Sequence, residues 1–517
     1  MKEETQLKKP KNTQSIRLVF VSALIGIVAG LVTVFYRFAL TAAEDISVKM
    51  YQFIRTNSVW IPVLFIFLAL LAYGVGLLNK KYPLISGSGI PQLKAQITGY
   101  IQGSWLGTLI AKFIGGTMSI IAGLSLGREG PSIQLGACVA EGLGEKLTHS
   151  LTEKRMYLAS GASAGLASAF NAPLAGVMFS LEEIFKYYSS KVLLSTMVAA
   201  ISADVVSKLF FGTEHVFHFN IEKSIPIKYY ALFIVLGIIL GFGGVLYNIC
   251  LDKTQKLYQK INKIPDSFKL LVPFVLAGIL GLTFPIVLGG GHALLGALTM
   301  QTSLLFLVLA LFIKFLFSMI SFGSGAPGGI FFPLLVLGST IGAIFAKIII
   351  PIFGLDEALF YNFIIIAMAG YFTAIVRAPL TGIILMIEMT GSLDQLLPLI
   401  ITSAIAYITA ETLQNKPIYE TLFENLLQKR GVHKESLNRE KILIETIVQF
   451  GSAIENKAIK DVNLHQKCLI VSVMRGEHDI TPNGNTIIKA GDCLTVLTSV
   501  KYEIEVRERI ESYAIND

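Results

Sequence analysis

Long apolar stretches dominate the first four-fifths of the chain. They include residues 16–40, 59–79, 105–126, 227–250, 269–288, 303–321, 332–353 and 392–412. A helix needs about 20 apolar residues to cross the hydrocarbon core of a bilayer. The pattern therefore predicts an all-α polytopic membrane domain over residues 16–425, preceded by a polar tail at 1–15.

Three further apolar segments are too short or too broken for simple spans. Gly, Pro and charged residues interrupt the segments 84–102, 127–144 and 157–184. A break at membrane depth frees backbone polar groups, which are tolerated where they line a cavity inside the protein. Broken helices in this position indicate a transport site.

The chain contains an internal repeat. GREGPSIQLG (127–136) aligns with GIFFPLLVLG (329–338), and FNAPLAGVMFSLEEI (170–184) aligns with VRAPLTGIILMIEMT (376–390). The two matches occur in the same order at offsets of 202 and 206 residues. They predict two related halves, at about 16–215 and 225–425, with a binding site formed by the equivalent broken segments.

The pattern changes after residue 430, where charged residues become about twice as frequent. Alternation predicts strands at 445–450 and 468–474, and strands over 487–500 that are broken at Ala490-Gly491-Asp492, with a turn at Asn483-Gly484. Helical spacing predicts helices at 419–430, 452–461 and 502–513. The sequence therefore predicts a linker at 426–440 and a small α+β domain at 441–517.

Composition excludes several classes of protein. Apolar residues make up 53% of the chain and charged residues only 15%, whereas soluble domains carry about 25% charged residues. The formal charge of +8 lies at the N-terminus and in short connections, as in loops that anchor a membrane protein against lipid headgroups. We therefore expect a lipid environment and no nucleic-acid partner.

Neither a metal site nor an enzyme active site is expected. The cysteines are scattered and form no CxxC pair: Cys138, Cys250, Cys468 and Cys493. His215 and His218 are three residues apart, but only Glu214 stands near them, which favours a loop over a metal site. No nucleophile–base pair accompanies the broken segments, and no cofactor is predicted.

Three glycine-rich segments are each followed by a proline. They are Gly87-Ser88-Gly89-Ile90-Pro91, Gly127-Arg128-Glu129-Gly130-Pro131 and Gly328-Gly329-Ile330-Phe331-Phe332-Pro333. Proline favours the first turn of a helix, where free N–H groups and the positive end of the helix dipole attract anions. Three such segments in one chain indicate an anion pathway.

These segments resemble the GSGIP, GREGP and GxFxP signatures of the ClC family of chloride channels and transporters. NAPLAG (171–176), APLTG (378–382) and KPIY (416–419) agree with the same family. The resemblance covers about residues 16–425. It implies an inverted-repeat helical fold, a homodimer with one pore in each subunit, and anion transport.

The resemblance also implies residue roles. Ser88 and Tyr419 would offer hydroxyl groups to a central chloride, the backbone amides of Ile330 and Phe331 would complete that site, and Glu129 would be the external gating glutamate. Serine at position 88 is the variant associated with chloride selectivity. The surrounding pore backbone would be formed by Gly87, Gly89, Pro91, Gly127, Arg128, Gly130, Pro131, Gly328, Gly329 and Pro333.

Glu182 and Glu183 bear on the choice between exchange and passive conduction. Read alone, two adjacent glutamates at the end of an apolar helix indicate a solvated helix end. In the resembled family, proton-coupled exchangers carry a glutamate at the second position of this pair, which implies that Glu183 transfers protons internally and that Glu182 supports it. The sequence thus favours a chloride–proton antiporter over a passive voltage- or ligand-gated chloride channel of the same fold.

The tail resembles the TrkA-C (RCK_C) regulatory domain of bacterial transport proteins. The resemblance rests on 455–463, on 469–475 and on the turn at 488–492. It implies dimerisation or control by a small ligand, such as the nucleotide cyclic di-AMP, and both alternatives stay open. This tail favours a bacterial plasma membrane, with the N- and C-termini in the cytosol.

Overall fold

The computed structural model describes residues 11–147, 151–186, 190–217, 219, 223, 225–260, 266–431, 441–462, 464, 468–476, 478–499 and 502–514. The chain divides into two compact units, Met1–Glu424 and Asn425–Asp517. The division falls inside a helix, since Ile418–Lys429 is continuous across it.

The first unit is helical throughout its described residues. Its first half contains α1 (Lys11–Thr56), α2 (Ile61–Lys81), α3 (Ile90–Ile97), α4 (Trp105–Ile121), α5 (Glu129–Leu147), α6 (Leu151–Phe170), α7 (Pro173–Phe179) and α8 (Ser190–Phe211). A short π-helical turn, Ser180–Phe185, extends α7.

The second half has a similar succession of long and short helices. It contains α9 (Ala231–Lys260), α10 (Asp266–Lys269), α11 (Leu271–Thr283), α12 (His292–Gly296), α13 (Leu304–Gly323), α14 (Phe331–Phe353), α15 (Phe360–Val376), α16 (Pro379–Thr390), α17 (Leu396–Thr412) and α18 (Ile418–Lys429).

Seven helical stretches among the described residues are long and apolar enough to cross a membrane. They are Ile16–Thr56, Ser58–Lys81, Ser190–Phe211, Ile227–Lys260, Leu304–Gly323, Phe331–Phe353 and Glu357–Val376. The prediction for the first helix was too short, because it continues beyond residue 40 through Glu44 and Asp45 to Thr56.

The apolar stretches predicted to span the membrane also did not include α8 and α15. Helix α8 carries three charged residues among small ones, which breaks its apolar pattern. Helix α15 is apolar on all sides, and the hydrophobic window that contains it is 94% buried. A helix that is hydrophobic all round belongs in the interior, so α15 forms the centre of the second half rather than a lipid-facing span.

Glycine allows α5 and α6 to pack backbone against backbone. A Cβ atom on Gly136 would collide with the carbonyl oxygen of Gly161, and a Cβ on Gly161 would collide with that of Gly136. Small residues at helix contacts serve this purpose in membranes, where close packing replaces the hydrophobic effect as the main attraction. The contact fixes α5, whose first residue is Glu129.

The two halves are linked by reciprocal carboxylate caps. Glu388, at the end of α16, accepts hydrogen bonds from the amides of Leu174 and Ala175 at the start of α7, at 2.9 and 2.8 Å. Glu182 accepts equivalent bonds from Leu380 and Thr381 at the start of α16, at 3.1 and 2.7 Å. Each carboxylate satisfies helix amides that otherwise lack partners, so this repeat-related pair stabilises both short helices.

The second unit is a small α+β domain, as predicted. Strands β1 (Lys441–Ile447), β2 (Cys468–Arg475), β3 (His478–Ile480) and β4 (Cys493–Ser499) form an antiparallel sheet in the order β1-β4-β2-β3. The final helix, α19 (Glu503–Ala514), packs on β1 and β4. Its buried residues Val506 and Ile510 join Val473 and Val496 in one apolar core.

Two details of the tail prediction were wrong. Residues 452–461 form turns and only a three-residue 3-10 helix, Ile459–Asp461, because Asn456 adopts a φ of 59° that no right-handed helix permits. Of the strands predicted over 487–500, the one after the break at 490–492 is confirmed as β4, whereas the one before it is wrong, since Ile487 makes only an isolated bridge to Ala458.

A buried ion pair closes the turn before β4. Asp492 is fully buried and receives two hydrogen bonds of 2.8 Å from the guanidinium group of Arg475. Burial alone would raise the pKa of Asp492, but the bonds from Arg475 and from the Lys489 amide outweigh burial and leave that pKa lowered. This pair is a structural element of the domain.

Candidate functional site

The three glycine-rich segments meet at the middle of the first unit. Gly127 and Gly329 exchange backbone hydrogen bonds of 2.7 Å in both directions, and the Gly328 amide donates to the Gly87 carbonyl at 3.1 Å. A Cβ on Gly130 would lie 2.9 Å from the Ser88 carbonyl oxygen. Segments more than 200 residues apart in sequence thus form a single backbone cluster.

Three helices begin at this cluster. Helix α3 starts at Ile90 with Pro91 in its first turn, α5 starts at Glu129, and α14 starts at Phe331 with Ile330 as its N-terminal cap. The first amides of a helix have no partner within it and carry a partial positive charge. The cluster therefore offers backbone N–H groups suited to an anion.

Ser88 and Tyr419, the two predicted hydroxyl ligands, are both buried. The Ser88 hydroxyl accepts a 3.3 Å hydrogen bond from the Ile90 amide, so it also satisfies the first amide of α3. The Tyr419 ring lies edge-on to Phe179, and Phe179 lies edge-on to Phe331, with ring centroids 6.2 Å apart in each case. Tyr419 is thereby connected to the start of α14.

The hydroxyl of Tyr419 is fully buried and has no hydrogen-bond partner among the described residues. Leaving such a group unsatisfied costs about 1–3 kcal/mol. An anion would satisfy it, because a phenol can donate its proton to one. Tyr419 is therefore not one of the exposed tyrosines that form an aromatic belt at the membrane interface.

Glu129 is fully buried at the first position of α5. Neither of its carboxylate oxygens makes a hydrogen bond of good geometry within the described part of the chain, and the groups that face the carboxylate are the backbone amides of Glu129 itself and of Phe332. The Arg128 guanidinium nitrogen nearest to it is 3.9 Å away, which is too long for a hydrogen bond. The carboxylate thus lies against the amides at the starts of α5 and α14, and no described side chain makes a hydrogen bond to it.

Glu129 also borders a small cleft. The cleft is lined by Glu44, Arg128, His292 and Phe332, among others. His292 begins the short helix α12 and stacks on Phe332 with ring centroids 4.1 Å apart. Glu129 therefore lies beside charged and titratable side chains that could connect it to solvent.

Glu183 is buried but lies in a different environment from Glu182. The Glu183 carboxylate is 3.4 Å from the Lys94 ammonium group, while both oxygens of Glu182 bind the start of α16. Adjacent in sequence, the two glutamates have separate partners. The interpretation of the pair as a solvated helix end is wrong for Glu183, whose side chain is only 3% exposed.

Two buried lysines support the loops. Lys112 donates to the carbonyls of Ile85 and Gly87 at 2.8 and 2.5 Å, and Lys314 donates to those of Val287 and Gly289 at 2.9 and 2.7 Å. Each lysine and its two carbonyl partners are 202 residues from their counterparts in the other half of the chain. Only the Lys112 loop carries a candidate chloride ligand, Ser88.

The predicted absence of a metal site at His215 and His218 can be examined only at His215. His215 contacts the Glu388 carbonyl oxygen at 3.1 Å, and His218 lies outside the described residues. Within the part of the chain that the structure describes, no group of three His, Cys, Asp or Glu side chains could hold a metal ion.

Comparison with known proteins agrees with this geometry. A family model described as voltage gated chloride channel matches residues 69–411, and a TrkA-C domain model matches residues 443–511. The H(+)/Cl(-) exchange transporter ClcA of Vibrio cholerae is 34% identical over 447 residues, covering 83% of this chain and 94% of that protein. ClcA of Klebsiella pneumoniae is 34% identical over 426 residues, covering 80% and 90%.

Solved structures show the same architecture. A slow cyanobacterial Cl⁻/H⁺ antiporter superposes with a TM-score of 0.76 at 30% identity, covering 80% of this chain and 99% of that one. A eukaryotic CLC transporter superposes with a TM-score of 0.69 at 23% identity, covering 80% and 74%, and shows the fold alone. The predicted ClC-type fold is confirmed: the chain belongs to the ClC, or voltage-gated chloride channel, family and is a multi-pass membrane protein that carries a TrkA-C domain.

Proposed function

We propose that this protein is an antiporter that moves chloride across the membrane in exchange for protons. The observation that carries the proposal is the pair of buried carboxylates, Glu129 at the glycine cluster and Glu183 beside Lys94. Buried ionisable groups in a membrane domain are costly unless they are used. A passive chloride channel needs no second buried carboxylate, and the curated relatives reported above are named as exchangers.

Chloride would bind between the start of α14 and the two hydroxyl groups. The amides of Ile330 and Phe331, together with Ser88 and Tyr419, replace part of the hydration shell of the ion without any cationic ligand. Glu129 competes for the outer part of this pathway when it is ionised. When it is protonated it loses its attraction to the helix N-termini and leaves the path.

Protons would reach the site through Glu183. This residue lies on the π-helical turn after α7, and Phe179 at the end of α7 contacts the Tyr419 ring. Glu182 supports Glu183 by fixing the π-helical turn to α16, since both its oxygens are bound there. Exchange follows because Glu129 must accept a proton to admit chloride and must release it to close.

Reconstituted protein tests this function directly. In proteoliposomes with equal chloride on both sides, a pH gradient should drive net chloride movement, and the reversal potential should depend on pH. Chloride flux that ignores the pH gradient would contradict exchange and support a channel.

The same assay tests the roles of Glu129 and Glu183 in proton movement. Glu129→Gln mimics the protonated gate, so chloride should pass while proton movement falls to background. Glu183→Gln should also abolish proton movement, because an amide cannot carry a proton between the two sides. Proton pumping at the wild-type rate in Glu183→Gln would remove its assigned role.

Lys112 gives a matched test of the anion site. Its buried charge lies next to Ser88, whereas Lys314 makes the same contacts in a loop without a chloride ligand. Lys112→Met should weaken chloride binding by about tenfold, the equivalent of roughly 1.4 kcal/mol, as measured by calorimetric titration. Lys314→Met should destabilise the fold by a similar free energy and leave chloride affinity unchanged. Equal losses of chloride affinity in the two variants would contradict the role of Lys112 at the anion site.

We further propose that the protein is a homodimer in a bacterial plasma membrane, with both termini in the cytosol. The C-terminal domain would regulate transport through α18, the helix that precedes it in the sequence. Cyclic di-AMP is the first ligand to test, because the TrkA-C resemblance implies a small ligand of this kind.

Removing residues 431–517 tests this regulation. The truncated protein should still exchange chloride for protons, since every site residue named above lies before residue 431. Cyclic di-AMP should change the flux of the full chain and have no effect on the truncated chain. An unchanged flux in the full chain would favour a purely structural role in dimerisation.

A further inference from the structure

Glu183 belongs to a chain of four alternating charges. Its carboxylate is 3.4 Å from the Lys94 ammonium group, which is 2.9 Å from the Glu420 carboxylate, which is in turn 3.0 Å from the Lys186 ammonium group. Exposure rises along the chain, from side-chain values of 3% for Glu183 and 10% for Lys94 to 32% for Glu420 and 43% for Lys186. The series leads from a buried group to the surface.

The charge balance of this group depends on the protonation of Glu183. With Glu183 ionised, two cations face two anions, and the group is neutral. When Glu183 takes up a proton, Lys94 keeps Glu420 as its partner, so the group becomes positive without leaving a buried ammonium unpaired. Lys94 therefore favours the ionised form of Glu183. Glu420 weakens that effect, because it forms a second ion pair with the same ammonium group.

We infer that Lys94 is a positioning residue that sets the protonation equilibrium of Glu183, and that Glu420 acts through Lys94 in the opposite direction. This inference rests on the proposed exchange function and adds the residues that adjust its proton branch. Sequence reasoning did not select Lys94, although a lysine inside the eight-residue helix α3 is a signal that could have been followed.

Helix α18 connects the chloride site to the ion pairs around Glu183. Glu420 follows Tyr419 on α18, so the same helix turn carries a candidate chloride ligand and the counter-charge of Lys94. A shift of α18 would change the distance between Glu420 and Lys94 and would thereby alter proton affinity at Glu183. Chloride occupancy at Tyr419 and proton occupancy at Glu183 would then be linked through one rigid element.

The groups that act on Glu183 come from each element around it. Lys94 belongs to α3, Lys186 ends the π-helical turn, and Tyr419 and Glu420 belong to α18. Helix α6 meets the turn through the uncharged Ala159 carbonyl, which accepts from Ser180. The adjacent carboxylate, Glu182, is bound to the start of α16.

Infrared titration of the full-length protein in lipid measures this equilibrium without requiring transport. The absorption of the protonated Glu183 carboxyl group is identified by its loss in Glu183→Gln, and its pH midpoint is then followed. Lys94→Gln should raise the midpoint by about one pH unit, because an opposite charge at this distance favours ionisation. Glu420→Gln should lower the midpoint, because Lys94 is then free to act on Glu183 alone.

Two variants serve as controls. Lys94→Arg keeps the positive charge and should restore the wild-type midpoint, which a role in packing alone would not require. Glu424→Gln removes another α18 carboxylate, one that pairs with Lys416, and should leave the midpoint unchanged.

Opposite shifts in Lys94→Gln and Glu420→Gln support the inference. Shifts in the same direction, or no shift in correctly folded protein, would overturn it. If Lys94→Gln does not fold, the sign of the Glu420→Gln shift alone decides. A wild-type protein that titrates in this way but moves no protons would instead overturn the exchange function, so the two failures are distinguishable.

Discussion

The central constraint on this protein is the pair of backbone hydrogen bonds between Gly127 and Gly329, each 2.7 Å long. A larger residue would disturb the cluster at either position, because a Cβ on Gly329 would lie 3.0 Å from the Gly130 amide nitrogen and a Cβ on Gly127 would displace the Glu129 carboxylate. The pairing brings the starts of α5 and α14 together. Two helix N-termini held at one buried point make an environment that favours anions, and the proposed transport site depends on it.

The hydrogen-bond partners of the buried charged side chains distinguish residues with a structural role from those with a proposed role in transport. The repeat-related glutamates Glu182 and Glu388 are fully used as helix caps, and the buried lysines Lys112 and Lys314 are used by loop carbonyls. The Glu129 carboxylate, by contrast, faces only backbone amides and makes no hydrogen bond to a side chain among the described residues. In a medium where an unsatisfied polar group is expensive, a group left free at a helix N-terminus is a strong candidate for function.

Most of the architecture was predictable because membrane spans and glycine-rich helix starts have local signals. Helix α15 has the same local signal, with a mean hydropathy of 1.9 in its most apolar window, and only its 94% burial depends on neighbours distant in sequence, whereas residues 452–461 failed as a helix because Asn456 adopts a positive φ. Within the site, the glycine motifs and Glu129 were visible in sequence. Lys94 was not, since its meaning depends on Glu183 and Glu420, which lie 89 and 326 residues away.

The central claim is that an anion binds where the glycine segments meet, and crystals of Glu129→Gln soaked in bromide test it most directly. Bromide replaces chloride and is located by its anomalous scattering, and the substitution removes the competing carboxylate. The account predicts an anomalous peak within hydrogen-bonding distance of the Ser88 and Tyr419 hydroxyl groups and of the Ile330 and Phe331 amides. Bromide bound elsewhere in the protein, with no peak at this position, would contradict it.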